Sequence, residues 1–428
     1  MKRYIFLLFI VLVLVTFMAS GTELRVWLVG MSNERIAILD GMTNDSFTSK
    51  TGISVKYTGI SWIDYYNKYL LALASKDTPD LLTLGSETMD FGLRGGLVDL
   101  KKLKPGELEK LESELFSSIF GPVSFKGTRF GLPMELVGIF GAYRTDILRD
   151  LGMDIPKEWE YIKKWQPKAL AQKKTFGIHY GTISNEALWG AYTLITQNGG
   201  QFFNADGLSS ALDRPESIKG FEEYIDLFLK HKLPQATVGL PPFIDGEWIS
   251  YTDGAWLYHN LESAAPQLNG KWTAGVVPGT RRSDGSIHHG TFVGGVNLAM
   301  SAYSKNKEAA WQLMKWLLSK ETQTLFSNQI VEQISASVWL PANKYAYKDL
   351  HLKESYKQTF FNQVEASETV PPAINVNVLY RYVKLAIDKA ILNKINPKTA
   401  IVEAARDMNS EMNRRKKEYC RFLADLSK

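Results

Sequence analysis

The hydrophobic and polar positions of the first hundred residues switch between two periods. Leu24 to Val29 is a short apolar run closed by Gly30, the pattern of a buried parallel strand. Ile36 to Phe47 has helical spacing, Gly52 punctuates, and Ile53 to Thr58 is rich in strand formers. Ile63 to Ala74 carries Leu70, Leu71 and Ala74 at helical spacing, with Asp64 in its first turn. Pro79 breaks the chain, and Asp80 to Leu84 reads as a third strand. This βαβαβ order predicts a right-handed, parallel, helix-covered sheet.

A sheet of that kind locates a site before any side chain is considered. Ligands bind beyond the carboxyl ends of its strands, where helix N-termini also point. Three loops meet there: Gly30-Met31-Ser32-Asn33-Glu34, Gly59-Ile60-Ser61-Trp62 and Gly85-Ser86-Glu87-Thr88. Each begins with Gly, which permits close backbone approach, and each offers polar groups. One such Gly is ordinary turn chemistry. Three in register with the strand ends say more.

Further along, Phe125 to Pro133 reads as a hairpin leading into an apolar strand near Val137 to Tyr143. Thr145-Asp146 opens a short helix that stops at Gly152. A helix over Glu186 to Thr196 ends at Gly199-Gly200, and Asn204 to Gly207 is a turn. Asp213 is positioned to cap a helix with Pro215 and Glu216 in its first turn, running to about His231. Tyr251 to Leu261 reads as strand then helix. Thr291 to Ser301 is strand-like, with Gly294-Gly295 inside it. Asn306 is positioned to cap a helix in which Ala310, Leu313, Met314 and Leu317 share one face. Residues 376–392 and 398–418 form two more helices. With no tandem repeat and no low-complexity linker, the pattern suits lobes joined by chain crossings within one fold.

The length of 428 residues fits that reading, being too long for one compact domain. The N-terminus stands apart. Lys2 and Arg3 precede an apolar run from Tyr4 to Met18, and Ala19, Ser20 and Gly21 are small enough for cleavage after Gly21. Residues 1–21 thus read as a secretory signal peptide, the alternative being an uncleaved anchor. The apolar run is shorter than the roughly 20 residues of a spanning helix. Loss of Lys2 and Arg3 takes the formal charge from +5 to +3, weak attraction for any anionic partner. The one basic cluster, Arg414 to Lys417, reads as a solvated helix face, so no nucleic-acid partner is expected. Cys420 is the only cysteine, so no intrachain disulfide forms and no lipid-bearing cysteine lies near the cleavage site. The adjacent His288 and His289 point apart on a strand, so neither a metal site nor a cofactor is expected.

Several segments together resemble the bacterial extracellular solute-binding proteins that include maltose-binding protein. They are Thr78 to Gly85 followed by Gly95 to Leu100, Phe125 to Pro133 followed by Tyr143 to Leu148, Asn198 to Asn204, and Gly294 to Ser301 followed by Ser304 to Trp311. Their order and spacing cover nearly the whole mature chain. The resemblance implies a type II periplasmic-binding-protein fold: two α/β lobes, each a mixed, mainly parallel sheet flanked by helices. It places residues 22–132 plus 290–340 in the N-lobe and 133–289 plus 341–428 in the C-lobe, with the ligand between. It also implies delivery of the ligand to the transmembrane permease subunits of an ABC importer, by a monomer in the periplasm or on the outer face of a bacterium. One departure stands out. Gly254-Ala255-Trp256 takes the place of the Gly-Pro-Trp of many sugar-binding relatives, which leaves the loop geometry open.

A sugar presents apolar C–H faces and a rim of hydroxyls, so its site wants an aromatic plate with planar polar side chains. With 11 Trp the chain has plates to spare. Trp62 lies in a site loop, where ligand stacking competes with capping of the next helix. Trp256 matches a family position at the cleft. Trp189 sits on a helix with Asn185 and Glu186 at its start, Trp339 lies near the third crossing, and Trp248 is open to either reading. Trp27, Trp311 and Trp316 read as packing. Among polar groups, Glu34, Ser86 and Glu87 come from strand-end loops, Glu135 follows the first crossing, and Thr291 and Asn297 flank the second; Arg94 reads as a salt-bridge residue. Any one of them is also an ordinary polar loop residue. The rival class is a secreted glycosidase, with Glu87 and Glu135 as its carboxylate pair. No nucleophile elbow, phosphate-cradling motif or metal cluster accompanies them. Hinge closure on a carbohydrate or other polar small molecule, with no chemistry, is the simpler expectation.

Overall fold

The computed structural model describes residues 21–178, 180, 184–235, 239–374 and 376–419. The N-terminal apolar segment and Cys420 lie outside them. Strand β1 (Glu23–Val29), helix α1 (Asn33–Met42), strand β2 (Ser54–Ile60), helix α2 (Tyr65–Ser75), strand β3 (Leu81–Leu84) and helix α3 (Thr88–Leu93) follow in the order the pattern predicts. β1 runs parallel to β2 over its whole length and to β3 at Val26 and Trp27. Ser32 caps α1 by accepting from the Arg35 amide. The helical spacing through Phe47 holds, but Thr43–Thr48 widens into a π-helical turn, with Thr43 Oγ1 donating back to the Leu39 carbonyl.

The remainder adds β4 (Leu132–Gly138), β5 (Phe140–Tyr143), α4 (Trp159–Ala171), β6 (Thr175–Phe176), α5 (Ser184–Gln197), α6 (Pro215–Leu229), β7 (Trp248–Asp253), α7 (Trp256–Ala264), β8 (Thr273–Gly275) and β9 (Phe292–Met300). Then come α8 (Lys307–Leu318), α9 (Lys320–Gln333), β10 (Leu340–Pro341), α10 (Glu354–Glu365), β11 (Glu368–Thr369), α11 (Asn377–Ile391) and α12 (Pro397–Glu418). The strands form two main sheets. One has the order β10-β4-β9-β3-β1-β2, with β11 beside β9; the other is β8-β5-β7-β6. Among the described strands of these two sheets, parallel pairing is confined to β2-β1-β3, β9-β11 and β6-β7. The strands added by chain return, β9 against β3 and β4, are antiparallel. Among the described residues no helix is long and apolar enough to cross a membrane.

Two predicted caps go elsewhere. Arg214, not Asp213, precedes α6, because Pro215 already occupies the first helical position. Asn306 precedes α8 without capping it; its amide turns to Asp80 Oδ1 at 3.4 Å. Asp80 is buried. It also accepts from the Arg25 amide at 3.0 Å and from Ser304 Oγ at 2.6 Å, while Thr78 Oγ1 bonds Ser301 Oγ at 2.6 Å. One carboxylate thus ties the start of β3 to β1 and to the turn before α8. Trp311 is buried as its helical stripe predicts, Trp316 packs on Phe47 at 5.7 Å, and Trp27 is half-buried edge-on to Tyr69.

The single apolar stretch expected near Val137 to Tyr143 is cut at Ile139. β4 belongs to the large sheet and β5 to the small one. Register then fixes where the sheets meet. Leu84, at the carboxyl end of β3, lies opposite Asn297, and Val293 lies opposite Gly138. The start of β9 and the end of β4 therefore extend past the carboxyl ends of β1, β2 and β3 on one side. In the small sheet Asp253 lies opposite Phe140, so the loop after β7 emerges on the side that faces the large sheet. The carboxyl ends of β1, β2, β3 and β7 thus lie on the sides by which the two sheets approach each other.

Candidate functional site

Three loops of the large sheet lie at these carboxyl ends. The Gly30 amide is bonded to the Ile60 carbonyl at 2.8 Å, which joins the first loop to the second. Gly30 has φ +69, and a Cβ there would fall 2.0 Å from Trp62 Nε1, so only glycine admits the indole in this position. Trp62 is 50% exposed and meets Tyr65 edge-on at 5.5 Å. A Cβ built on Gly85 would lie 2.8 Å from a Glu87 carboxylate oxygen, 3.4 Å from the Trp62 ring and 3.5 Å from the Tyr65 hydroxyl. Trp62, Tyr65 and Glu87 thus form one cluster. The Asn297 amide holds the Gly85 carbonyl at 3.1 Å from the neighbouring strand, and Thr88 Oγ1 donates to it at 2.8 Å.

Helix α11 packs against the third of these loops. Burial pushes the Glu87 carboxyl above its usual range, against hydrogen bonding from Tyr65 and from Asn377. Tyr380, one turn along α11, hydrogen-bonds Ser86; burial raises its phenol, and the Glu87 charge adds to this. Sequence reasoning missed Asn377 and Tyr380, which come from a helix about three hundred residues away with no local motif. Tyr65 carried a signal, three residues after Trp62 at helical spacing.

A second group lies on the small-sheet side. Trp256 is 38% exposed and 6.3 Å from Trp189, which is itself buried and stacked on Phe292 at 6.0 Å and 21°. The Trp256 ring lies over Gly254. Ala255 has φ −56, a value proline also adopts, so the missing Pro does not change that backbone angle. The side chains of Asn185 and Glu186 lie outside the described residues. Trp248 is buried and meets Tyr251 at 5.6 Å.

The third group surrounds Glu135. Between Pro133 and Glu135 the pairing with β9 slips by one residue, a bulge that sets the direction of Glu135. Proline lacks the amide a regular ladder would use there. Burial pushes the Glu135 carboxyl up to about 7, against the charge of Arg35. Arg35 is itself held by Ser337 Oγ at 2.8 Å and the Val338 carbonyl at 3.0 Å. Glu34, its neighbour, is exposed at the start of α1, with its carboxyl held below the usual range by Ser32.

Two expected residues are turned inward. Trp339 is 1% exposed and packs edge-on against Phe326 at 5.0 Å. Thr291 is fully buried, its hydroxyl bonded to Thr193 at 2.7 Å and its amide to Ser367 Oγ at 3.0 Å. In this arrangement both are buried packing residues. Arg94 makes the salt bridge expected of it, to Asp90 at 3.2 Å.

Glu135 gives a prediction of its own. Its folded-state carboxyl is raised from 4.5 to about 7, so the folded chain binds more protons than the unfolded chain between those pH values. Stability contributed by this group is therefore present at acid pH and falls as pH rises through that window. After discounting for partial solvent access the loss is about 2 kcal/mol. Glu135→Gln is expected to flatten this slope in urea unfolding measured from pH 4.5 to 8.

Comparison with known proteins places the chain in a family. The model for bacterial extracellular solute-binding proteins matches residues 32–324. The chain belongs to this family. The diacetylchitobiose binding protein DasA of Streptomyces coelicolor is 25% identical over 317 residues, 70% of each chain. A maltotriose-binding protein of Pyrococcus abyssi is 22% identical over 360 residues, 80% of this chain and 71% of the relative. Among solved structures, the sugar-binding protein MalE of Xanthomonas citri superposes with a TM-score of 0.79 at 19% identity, covering 93% of this chain and 99% of that one. The cyclic alpha-maltosyl-1,6-maltose binding protein of Arthrobacter globiformis gives 0.77 at 19%, covering 92% and 99%. The two-lobed α/β fold and the substrate-binding role in an ABC transporter are those of this family. Its members are binding proteins rather than enzymes, and the glycosidase reading is not favoured.

Proposed function

We propose that this solute-binding protein takes a mono- or oligosaccharide in the interlobe trough and closes on it, outside the cytoplasmic membrane, for delivery to the permease subunits of an ABC importer. The reading is carried by one observation: a half-exposed indole, Trp62, clustered with the Glu87 carboxylate at the strand ends, where Asn377 and Tyr380 of α11 pack against the same loop. An aromatic face with planar polar groups around it suits a pyranose ring. Trp256 and Trp189 offer a second plate for a longer ligand, and Glu34, Ser86 and Glu135 are the further polar contacts. The names of similar proteins, which are binding proteins for diacetylchitobiose, maltotriose and cyclo/maltodextrin, support the class of ligand.

We assign the chain crossings to Gly138–Phe140, Thr291–Phe292 and the segment after Leu350, where the chain passes between the sheets. The N-lobe then takes residues 22–138 and 292–350 together with β11, which stays beside β9 in the large sheet, and the C-lobe takes 140–290 and the rest of 354–419, with the monomer as the working unit. A thermal-shift screen of the mature chain against mono- and oligosaccharides, maltotriose and diacetylchitobiose included, tests the proposal. Ligand at about a thousand times its dissociation constant stabilises by about 4 kcal/mol, a rise of several degrees. A folded chain that shifts with none of them would sink the sugar reading.

A further inference from the structure

The C-terminal end of α12 leaves the layer that holds the rest of the helix. Ala400, Ile401, Ala404, Ala405, Met408 and Met412 are buried where α12 packs on α11 and α6. Asn409 Oδ1 accepts from the Ser210 amide at 2.7 Å. All of these contacts lie on the C-lobe. The last turn and the residue after it instead reach α3, the short helix that follows the Glu87 loop in the N-lobe. The Tyr419 hydroxyl donates to Asp90 Oδ1, and Tyr419 is 2% exposed. Asp90 Oδ2 accepts from the Tyr66 hydroxyl at 2.6 Å and from Arg94 Nε at 3.2 Å. The Arg94 guanidinium lies 5.6 Å over the Tyr419 ring and 3.8 Å from Glu418, which Arg415 also pairs at 2.7 Å. Beside these groups runs an open crevice of about 630 Å³, bounded by Leu70, Leu73 and Tyr303 on the N-lobe and by Glu418 and Tyr419 from α12. The contact is a bridge at the edge of an interlobe gap.

We propose that Asp90 and Tyr419 form an interlobe clasp that holds the lobes together before ligand arrives, and so sets how much of the ligand-free protein is closed. Asp90 lies one turn after Glu87. Separation of α3 from the end of α12 breaks a hydrogen bond to a buried carboxylate, a stronger contact than one between neutral groups. A contact present in one conformation only shifts the population toward it, and ligand that binds the closed form then pays less of the closing cost. The consequence for affinity rests on the two-lobed sugar-binding reading; the clasp itself does not.

Small-angle scattering on the ligand-free full chain tests it, with Tyr419→Phe as the leading variant because it removes only the hydroxyl. Its radius of gyration is expected to exceed that of the wild type. Asp90→Asn should expand the protein too, and the double variant no further than the larger single change, since both remove one contact. Thermal unfolding checks that each variant is folded; if Asp90→Asn is not, Tyr419→Phe alone decides. With maltotriose as probe, Tyr419→Phe is expected to weaken binding about tenfold. An unchanged ligand-free radius in Tyr419→Phe overturns the clasp, whatever maltotriose does. Expansion without any maltotriose binding supports the clasp and counts only against that sugar.

Discussion

Trp62→Ala is expected to raise the dissociation constant for the bound sugar about thirtyfold, while ligand-free thermal unfolding stays within about two degrees. The affinity loss corresponds to about 2 kcal/mol, the scale of a tryptophan at the centre of a binding surface. The small stability effect follows from exposure: half of the side chain is already in water, and its main neighbours are Tyr65 and the glycine backbone beneath it. Isothermal titration with the best sugar from the screen, alongside thermal unfolding, separates the two quantities. An unaltered affinity would place the ligand elsewhere in the trough. A large drop in melting temperature would show that the indole packs rather than binds.

The second large effect concerns the frame behind the site. Asp80→Ala is expected to cost about 3 kcal/mol, because it leaves buried donors without an acceptor. The Arg25 amide and the Ser304 hydroxyl lose their partner at once, and Asn306 loses its weaker one. For a lobe of roughly 200 residues that loss lowers the melting temperature by about 6–12 °C. Asp80→Asn keeps one acceptor oxygen and is expected to lose about half as much. Differential scanning calorimetry distinguishes them; equal stability of wild type and Asp80→Ala would remove this carboxylate from the frame.

Much of this architecture was legible in the chain. The first three strands and two intervening helices follow from period and punctuation alone, and the strand-end rule led to Trp62, Ser86 and Glu87 before any coordinate. The family segments supplied the return of β9. The sequence hid what depends on distant packing. Asn377 and Tyr380 sit on a helix whose pattern reports only its own buried face. Trp339 and Thr291 lie near crossings, where a linear reading cannot tell a residue lining a gap from one closing it. Asn306 and Asp213 have the chemistry of helix caps; Asp80 diverts the first and Pro215 displaces the second. The cut at Ile139 is invisible because apolar residues continue on both sides of it.

The position of β9 between β3 and β4 bears on how the polypeptide is made. The neighbour that joins these two strands begins at residue 292, so the large sheet cannot be completed while only the first two thirds of the chain have been synthesised. Pairings across such sequence separations form slowly. A nascent chain of this design stays unfinished for most of its synthesis, and its large sheet closes only after most of the polypeptide is available to pair.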